Sequence, residues 1–117
     1  MVLDADFDAG TLHLLRARVT AGAQSAGLTA DRASEVMLAV SELAGNTIRH
    51  GPGRGRLRMR LADGLLRCLV SDDGPGSGTW PVRRGHGLWV VRLLADQVTV
   101  SAGPGGSLVT AAFAIPR

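Results

Sequence analysis

Apolar residues recur along this chain with two periods, and the switches between them mark out its elements. Leu3, Ala5 and Phe7 alternate with Val2, Asp4 and Asp6, a short strand signal. From Asp8 or Thr11 the period lengthens. Leu12, Leu15, Val19, Ala23 and Ala26 fall along one face of an amphipathic helix that Gly27 stops. Thr29 is a good N-cap with Asp31 in the first turn. Val36, Val40, Leu43 and Thr47, flanked by Met37, Ala44 and Ile48, then predict a second helix over about 30 to 50 that ends at Gly51-Pro52-Gly53. In GRGRLRMRLA the period is two again. Arg54, Arg56, Arg58 and Arg60 alternate with Gly55, Leu57, Met59 and Leu61, so this strand has one guanidinium face and one apolar face. Asp63-Gly64 is a hairpin turn, and Leu65 to Ser71 is the returning strand. Leu66, Cys68 and Val70 share a face there, and Asp72 has the same parity. A carboxylate delivered to the end of a core needs a donor, which a ligand amine can supply.

A Gly-rich stretch follows, from Ser71-Asp72-Asp73-Gly74-Pro75-Gly76-Ser77-Gly78 through Thr79 to Arg84 and Gly85-His86-Gly87. Long irregular segments in compact domains are commonly lids or binding loops. Leu88 to Ala95 is apolar almost all round, which predicts a short buried helix starting at about His86, with Trp89 in the core. Its free N–H groups and positive dipole end would face the Gly-rich loop, the physical recipe for an anion site. Gln97 to Ser101 and Ser107 to Ile115 form a final hairpin around Gly103-Pro104-Gly105-Gly106. The expected architecture is α+β: a two-layer sandwich with a mostly antiparallel sheet and about three helices on one face, the guanidinium strand carrying its charges on the uncovered side.

Composition changes this picture little. Residues 1–117 suit a single domain with a two-layer core. The sequence pI of 10.9 suggests nucleic acid, but the net charge is only +3 and all thirteen basic residues are Arg. With no Lys or Tyr to titrate near pH 10, a small Arg excess lifts the pI sharply. Four aromatics, Phe7, Trp80, Trp89 and Phe113, leave no platform for base stacking. One cysteine excludes an internal disulfide and suits a reducing compartment. The N-terminus MVLDADFDAG lacks a signal-peptide pattern, and no apolar run spans a bilayer, so a cytoplasmic protein without membrane contact is expected.

The candidate chemistry lies in three separated motifs. Glu42, Asn46 and His50 recur every four residues, so on a helix a carboxylate, an amide and an imidazole share one wall. Asp72-x-Gly74-x-Gly76 and Gly85-x-Gly87 follow in order. These resemble the N, G1 and G2 boxes of the GHKL (Bergerat-fold) ATPases. Within that superfamily, LAVSELAGNTIRHG, VSDDGPG and GHGLWVVRLLAD are similar to the small bacterial anti-sigma-factor serine kinases. The resemblance runs from about Leu12 to Phe113. It implies ATP and Mg²⁺ as cofactors, with Asn46 as the metal ligand, a hard oxygen donor for a cation that bridges phosphates. It implies Glu42 as general base and Asp72 as acceptor for the adenine amino group. Gly74 and Gly76 would admit base and sugar where a Cβ intrudes. Gly85, His86, Gly87 and Leu88 would bind phosphate through N–H groups at a helix start, Arg84 would reach the phosphates, and Ser107 would assist on the adenine side. His50 either contacts phosphate or caps the helix C-terminus.

Two function classes follow. One is a serine kinase that phosphorylates a STAS-like anti-anti-sigma protein and sequesters a sigma factor. Relatives of this type are often homodimers. The other is a non-catalytic nucleotide-binding module that sequesters a partner, favoured by a short lid: only eight residues, 77 to 84, separate Gly76 from Gly85. A third reading makes the Arg54 to Arg60 strand a surface for nucleic acid or for an acidic protein, against the simpler expectation of a solvated sheet face.

Overall fold

The computed structural model describes residues 2–74 and 88–116. In chain order they form β1 (Leu3–Asp8), α1 (Leu12–Ser25), α2 (Ala30–His50), β2 (Arg54–Ala62), β3 (Leu65–Asp72), α3 (Leu88–Leu94), β4 (Gln97–Gly103) and β5 (Gly106–Ala114). Every strand pairing is antiparallel, and the sheet runs β1-β2-β3-β5-β4. The helices cover the face bearing Leu57, Met59, Leu66, Cys68, Val109 and Phe113, which joins Val19, Val36, Val40 and Leu43 in one core. The fold is the expected two-layer α+β sandwich. No described helix is long and apolar enough to cross a membrane.

Local chemistry sets the boundaries. The Thr29 hydroxyl accepts from the Arg32 N–H at 3.2 Å and opens α2, a cap worth about 1 kcal/mol. Asp63 (φ 57°) and Gly64 (φ 75°) both take left-handed backbone, the geometry that lets two residues join β2 to β3. Burial lifts the Cys68 thiol to about 12, so it serves as a small core hydrophobe rather than a nucleophile.

Arg32 joins the helical layer to the far edge of the sheet. Its guanidinium donates to the Leu94 carbonyl at 2.6 Å, to Glu35 at 3.1 Å and to Asp96 at 3.1 Å, and lies 5.0 Å from the Phe113 ring centroid. Asp96 in turn accepts from the Ala114 N–H at 2.7 Å. The end of α3 is thereby fixed to the start of α2.

Two features depart from expectation. The helix at Leu88 buries only Leu88 and Val91; Trp89 is 63% exposed and Leu93 74% exposed, so Trp89 is not a core residue. Seven residues packed against α2 and the edge strand β4 have one inner face, and the remaining apolar positions turn outward. The guanidinium face of β2, expected to be uniformly basic, also has acidic neighbours. Register sets Asp4 against Arg58, Asp6 against Arg56 and Asp8 against Arg54. Arg56 grips Asp4 with both ends of its fork, Nε to Oδ1 at 2.7 Å. The face is of mixed charge on the β1 side.

That ion pair is testable by titration. The Arg56 hydrogen bond holds the Asp4 carboxyl below its ordinary value of 3.8. A depressed folded value means the contribution to stability is present above the ordinary range and lost as pH falls through the lowered one. Both groups are exposed, so the stability effect is small. Its direction can be read at the residue itself: in Arg56→Ala the Asp4 resonance is expected to titrate at a higher pH, by carbon-detected NMR. An unchanged midpoint would rule out the pairing.

Candidate functional site

The last two turns of α2 carry the first motif. Asn46 is 1% exposed. Its carboxamide oxygen accepts from Arg49 Nη2 at 3.2 Å, and its Nδ2 is buried with no partner among the described residues. Buried amide donors are almost always satisfied by protein, water or ligand. Glu42, one turn earlier, is half-buried, and among the described residues its carboxylate has no hydrogen-bond or ion-pair partner. His50 is exposed at the helix end and interacts with its surroundings. Glu42, Asn46 and His50 thus differ in depth, with Asn46 deepest. Arg16 of α1 donates to Ser41 at 2.8 Å, tying the two helices together beside Glu42.

The second motif sits where β3 ends. Asp72 is half-buried and faces Ser107 across the β3–β5 pairing. Ser107 Oγ donates to Asp72 Oδ2 at 2.7 Å, and the Gly74 N–H donates to Oδ1 at 3.2 Å. Both carboxylate oxygens are therefore oriented, yet a carboxylate has about four acceptor positions, so some remain for a ligand. Gly74 has a second reason for lacking a side chain. A Cβ there would lie 2.5 Å from Pro52 Cβ, so the chain leaving Asp72 is packed against a residue two positions beyond the end of α2. This contact brings the first two motifs together. Gly76, Arg83, Arg84, Gly85, His86, Gly87 and Trp80 lie outside the described residues. Leu88 opens α3 and is 8% exposed.

A cavity of about 640 Å³ is bordered by Asp72 together with Asp6, Asp8, Thr11, Arg54, Arg56 and Asp73 among others. Neither Asn46 nor Glu42 borders it, so it is a neighbour of the motif cluster rather than its centre. Among the described residues no group of three or more His, Cys, Asp or Glu side chains is placed to hold a metal. Mg²⁺ keeps several waters and takes one or two protein oxygens together with ligand phosphates. The Asn46 oxygen fits such a role. Sequence reasoning passed over Arg49 and Gly45. The signal was available only as a glycine inside a helix, a residue helices disfavour.

Comparison with known proteins places this geometry in context. The histidine kinase-like ATPase domain matches residues 6–113. No curated protein matches the chain. Among solved structures, the RsbU and RsbW domains of Rv1364c from Mycobacterium tuberculosis superpose with a TM-score of 0.77 at 20% identity, covering 98% of this chain and 33% of that one. The histidine kinase domain of the blue-light activated histidine kinase EL346 from Erythrobacter litoralis gives 0.66 at 23% identity, covering 86% and 61%. The Acinetobacter baumannii histidine kinase AdeS gives 0.59 at 17% identity, covering 100% and 70%. The chain thus spans about a third of the first of these proteins and about three-fifths of the second. These likenesses concern the fold. The family match covers nearly the whole sequence, and with it the chain belongs to the histidine kinase-like ATPase domains of the GHKL superfamily.

Proposed function

We propose that residues 1–117 act as one ATP-binding domain of the anti-sigma-factor serine kinase type, transferring the γ-phosphoryl of ATP to a serine of a STAS-like anti-anti-sigma protein and holding a sigma factor. The observation that carries the reading is Asn46, a buried carboxamide at the end of α2 with an oxygen suited to a hard cation and an amide nitrogen that has no partner among the described residues. Mg²⁺ supplies charge neutralisation of the phosphates. Asn46 would hold it, Asp72 and Ser107 would bind the adenine end, and Glu42 would accept the proton of the attacking hydroxyl. A half-buried carboxylate with no hydrogen-bond or ion-pair partner among the described residues suits that task. The likeness to the RsbW-containing structure supports the regulatory assignment at the level of fold.

The expected result is that calorimetry detects Mg-dependent ATP binding, and that radiolabelled ATP transfers phosphate to serine of a cognate partner. Glu42→Ala should lower transfer by about a hundredfold or more, the usual scale of a general base, while ATP affinity changes by less than about threefold. Transfer retained in that variant would remove Glu42 from the chemistry. The eight residues between Gly76 and Gly85 favour a second reading, in which nucleotide binding gates partner capture without transfer. Binding with no phosphoserine in any cognate partner would select it.

A further inference from the structure

We propose that Arg49 is a built-in competitor for the Asn46 oxygen, setting how much divalent cation the site needs before it loads. This rests on the reading of Asn46 as a cation ligand. Arg49 lies three residues beyond Asn46, and its side chain folds back toward the N-terminus of α2, the direction helical side chains favour. Its Nη2 donates to Asn46 Oδ1 at 3.2 Å. The space for this is provided by Gly45. A Cβ at that position would stand 2.9 Å from Nη1, 3.3 Å from Nη2 and 3.4 Å from Cζ of Arg49. A glycine in the interior of a 21-residue helix is unfavourable, and here its absent side chain is what seats a guanidinium against the buried amide.

The chemistry makes the two occupants exclusive. A cation in the inner sphere of Asn46 Oδ1 would sit close to a guanidinium bonded to the same oxygen, and like charges at that range repel. The contact is broken only when a stronger cation arrives, or when the guanidinium swings out toward solvent, where the rest of Arg49 is already exposed. Arg49 is accordingly a positioning residue: it orients the Asn46 carboxamide in the cation-free protein and raises the threshold for metal entry.

Two substitutions separate charge from occupancy. Arg49→Gln removes the competing cation. Gly45→Ala keeps the charge but places a methyl where the guanidinium rests, and alanine, the better helix former, leaves folding intact. The readout is paramagnetic broadening of the Asn46 side-chain amide resonances on titration with Mn²⁺ alone. Both variants are expected to reach half-broadening at about five- to tenfold less Mn²⁺ than wild type, the size of one modest hydrogen bond. The Mg²⁺ concentration for half-maximal ATP binding should fall in the same direction. Coincident Mn²⁺ curves for all three proteins, a rise in either variant, or no broadening of Asn46 in any of them would overturn the proposal. If the Mn²⁺ ordering holds while no protein binds ATP, the competition stands and the nucleotide reading falls. If ATP binds and the Mn²⁺ curves coincide, Arg49 alone loses its role.

Discussion

Asp72→Ala is expected to weaken ATP binding by roughly a hundredfold while leaving the protein folded, because in the proposed site one carboxylate would serve both the ligand and the backbone that leaves β3. In the free protein its two oxygens are already held, by Ser107 Oγ at 2.7 Å and by the Gly74 N–H at 3.2 Å. Such preorientation means that little freedom is lost when an adenine amine donates to a remaining acceptor position. Removing the carboxylate leaves three donors without their acceptor: the ligand amine, the Ser107 hydroxyl and the Gly74 N–H. Asp72→Asn is the sharper variant. It keeps the shape but presents an NH₂ on one side, so discrimination between ATP and GTP should narrow even if some affinity survives. Calorimetry with both nucleotides, with urea denaturation as a check on folding, measures this. Wild-type ATP affinity in Asp72→Ala would refute the adenine-side assignment.

The largest stability effect is expected at Gly106. Gly106→Ala should cost about 3 kcal/mol or more in urea denaturation, well beyond the usual effect of a surface turn substitution. The residue has φ 136°, and a Cβ would fall 2.1 Å from the Asp72 carbonyl oxygen, 3.0 Å from Asp73 Cα and 3.1 Å from the Asp72 carbonyl carbon. All three are backbone atoms, and Asp72 is paired in register with Ser107, so nothing nearby can yield cheaply. Gly53→Ala is the matched comparison. It also has positive φ, 89°, but no atom lies within 4 Å of the new Cβ, and its cost should stay near 1 kcal/mol. If the two variants are equally stable, close approach of β5 to the end of β3 is not what Gly106 provides. The same substitution should disturb ATP binding if Asp72 binds adenine as proposed, since the clash displaces that residue.

Much of this was readable from local pattern. The period of two in Arg54 to Leu61, the wide apolar stripe of α2 and the Asp63-Gly64 turn each depend on near neighbours in sequence, and each predicts its element closely. The parity that brings Asp72 into line with Leu66, Cys68 and Val70 likewise follows from the strand alone. What escaped reading depends on register and on edges. That Asp4, Asp6 and Asp8 stand opposite the arginines of β2 follows from pairing between distant segments. That Trp89 and Leu93 face outward follows from the edge position of α3, which an apolar sequence cannot reveal. The sequence offers only the approach of a ligand as a reason for Gly74, and none for Gly45. In the structure Gly74 yields to Pro52 and Gly45 to Arg49. The expectations for Gly76, Arg84, Gly85, His86 and Gly87 fall outside the described residues.

The strand order has a kinetic consequence. β4 reaches the sheet only through β5, and β5 must insert against β3, whose own partner β2 is already adjacent in sequence. Two hairpins, β2–β3 and β4–β5, consist of local contacts that close quickly. Their union is a distant search: the Ser107–Asp72 hydrogen bond spans 35 residues, and the Arg32 contacts with Leu94 and Asp96 span 62 and 64. Such separations raise contact order and slow the final assembly. Asp72 therefore gains its serine only when the two hairpins join, so a chain can hold much of its secondary structure before the proposed nucleotide site is assembled. Ligand present during refolding would act on that last union, not on the formation of either hairpin.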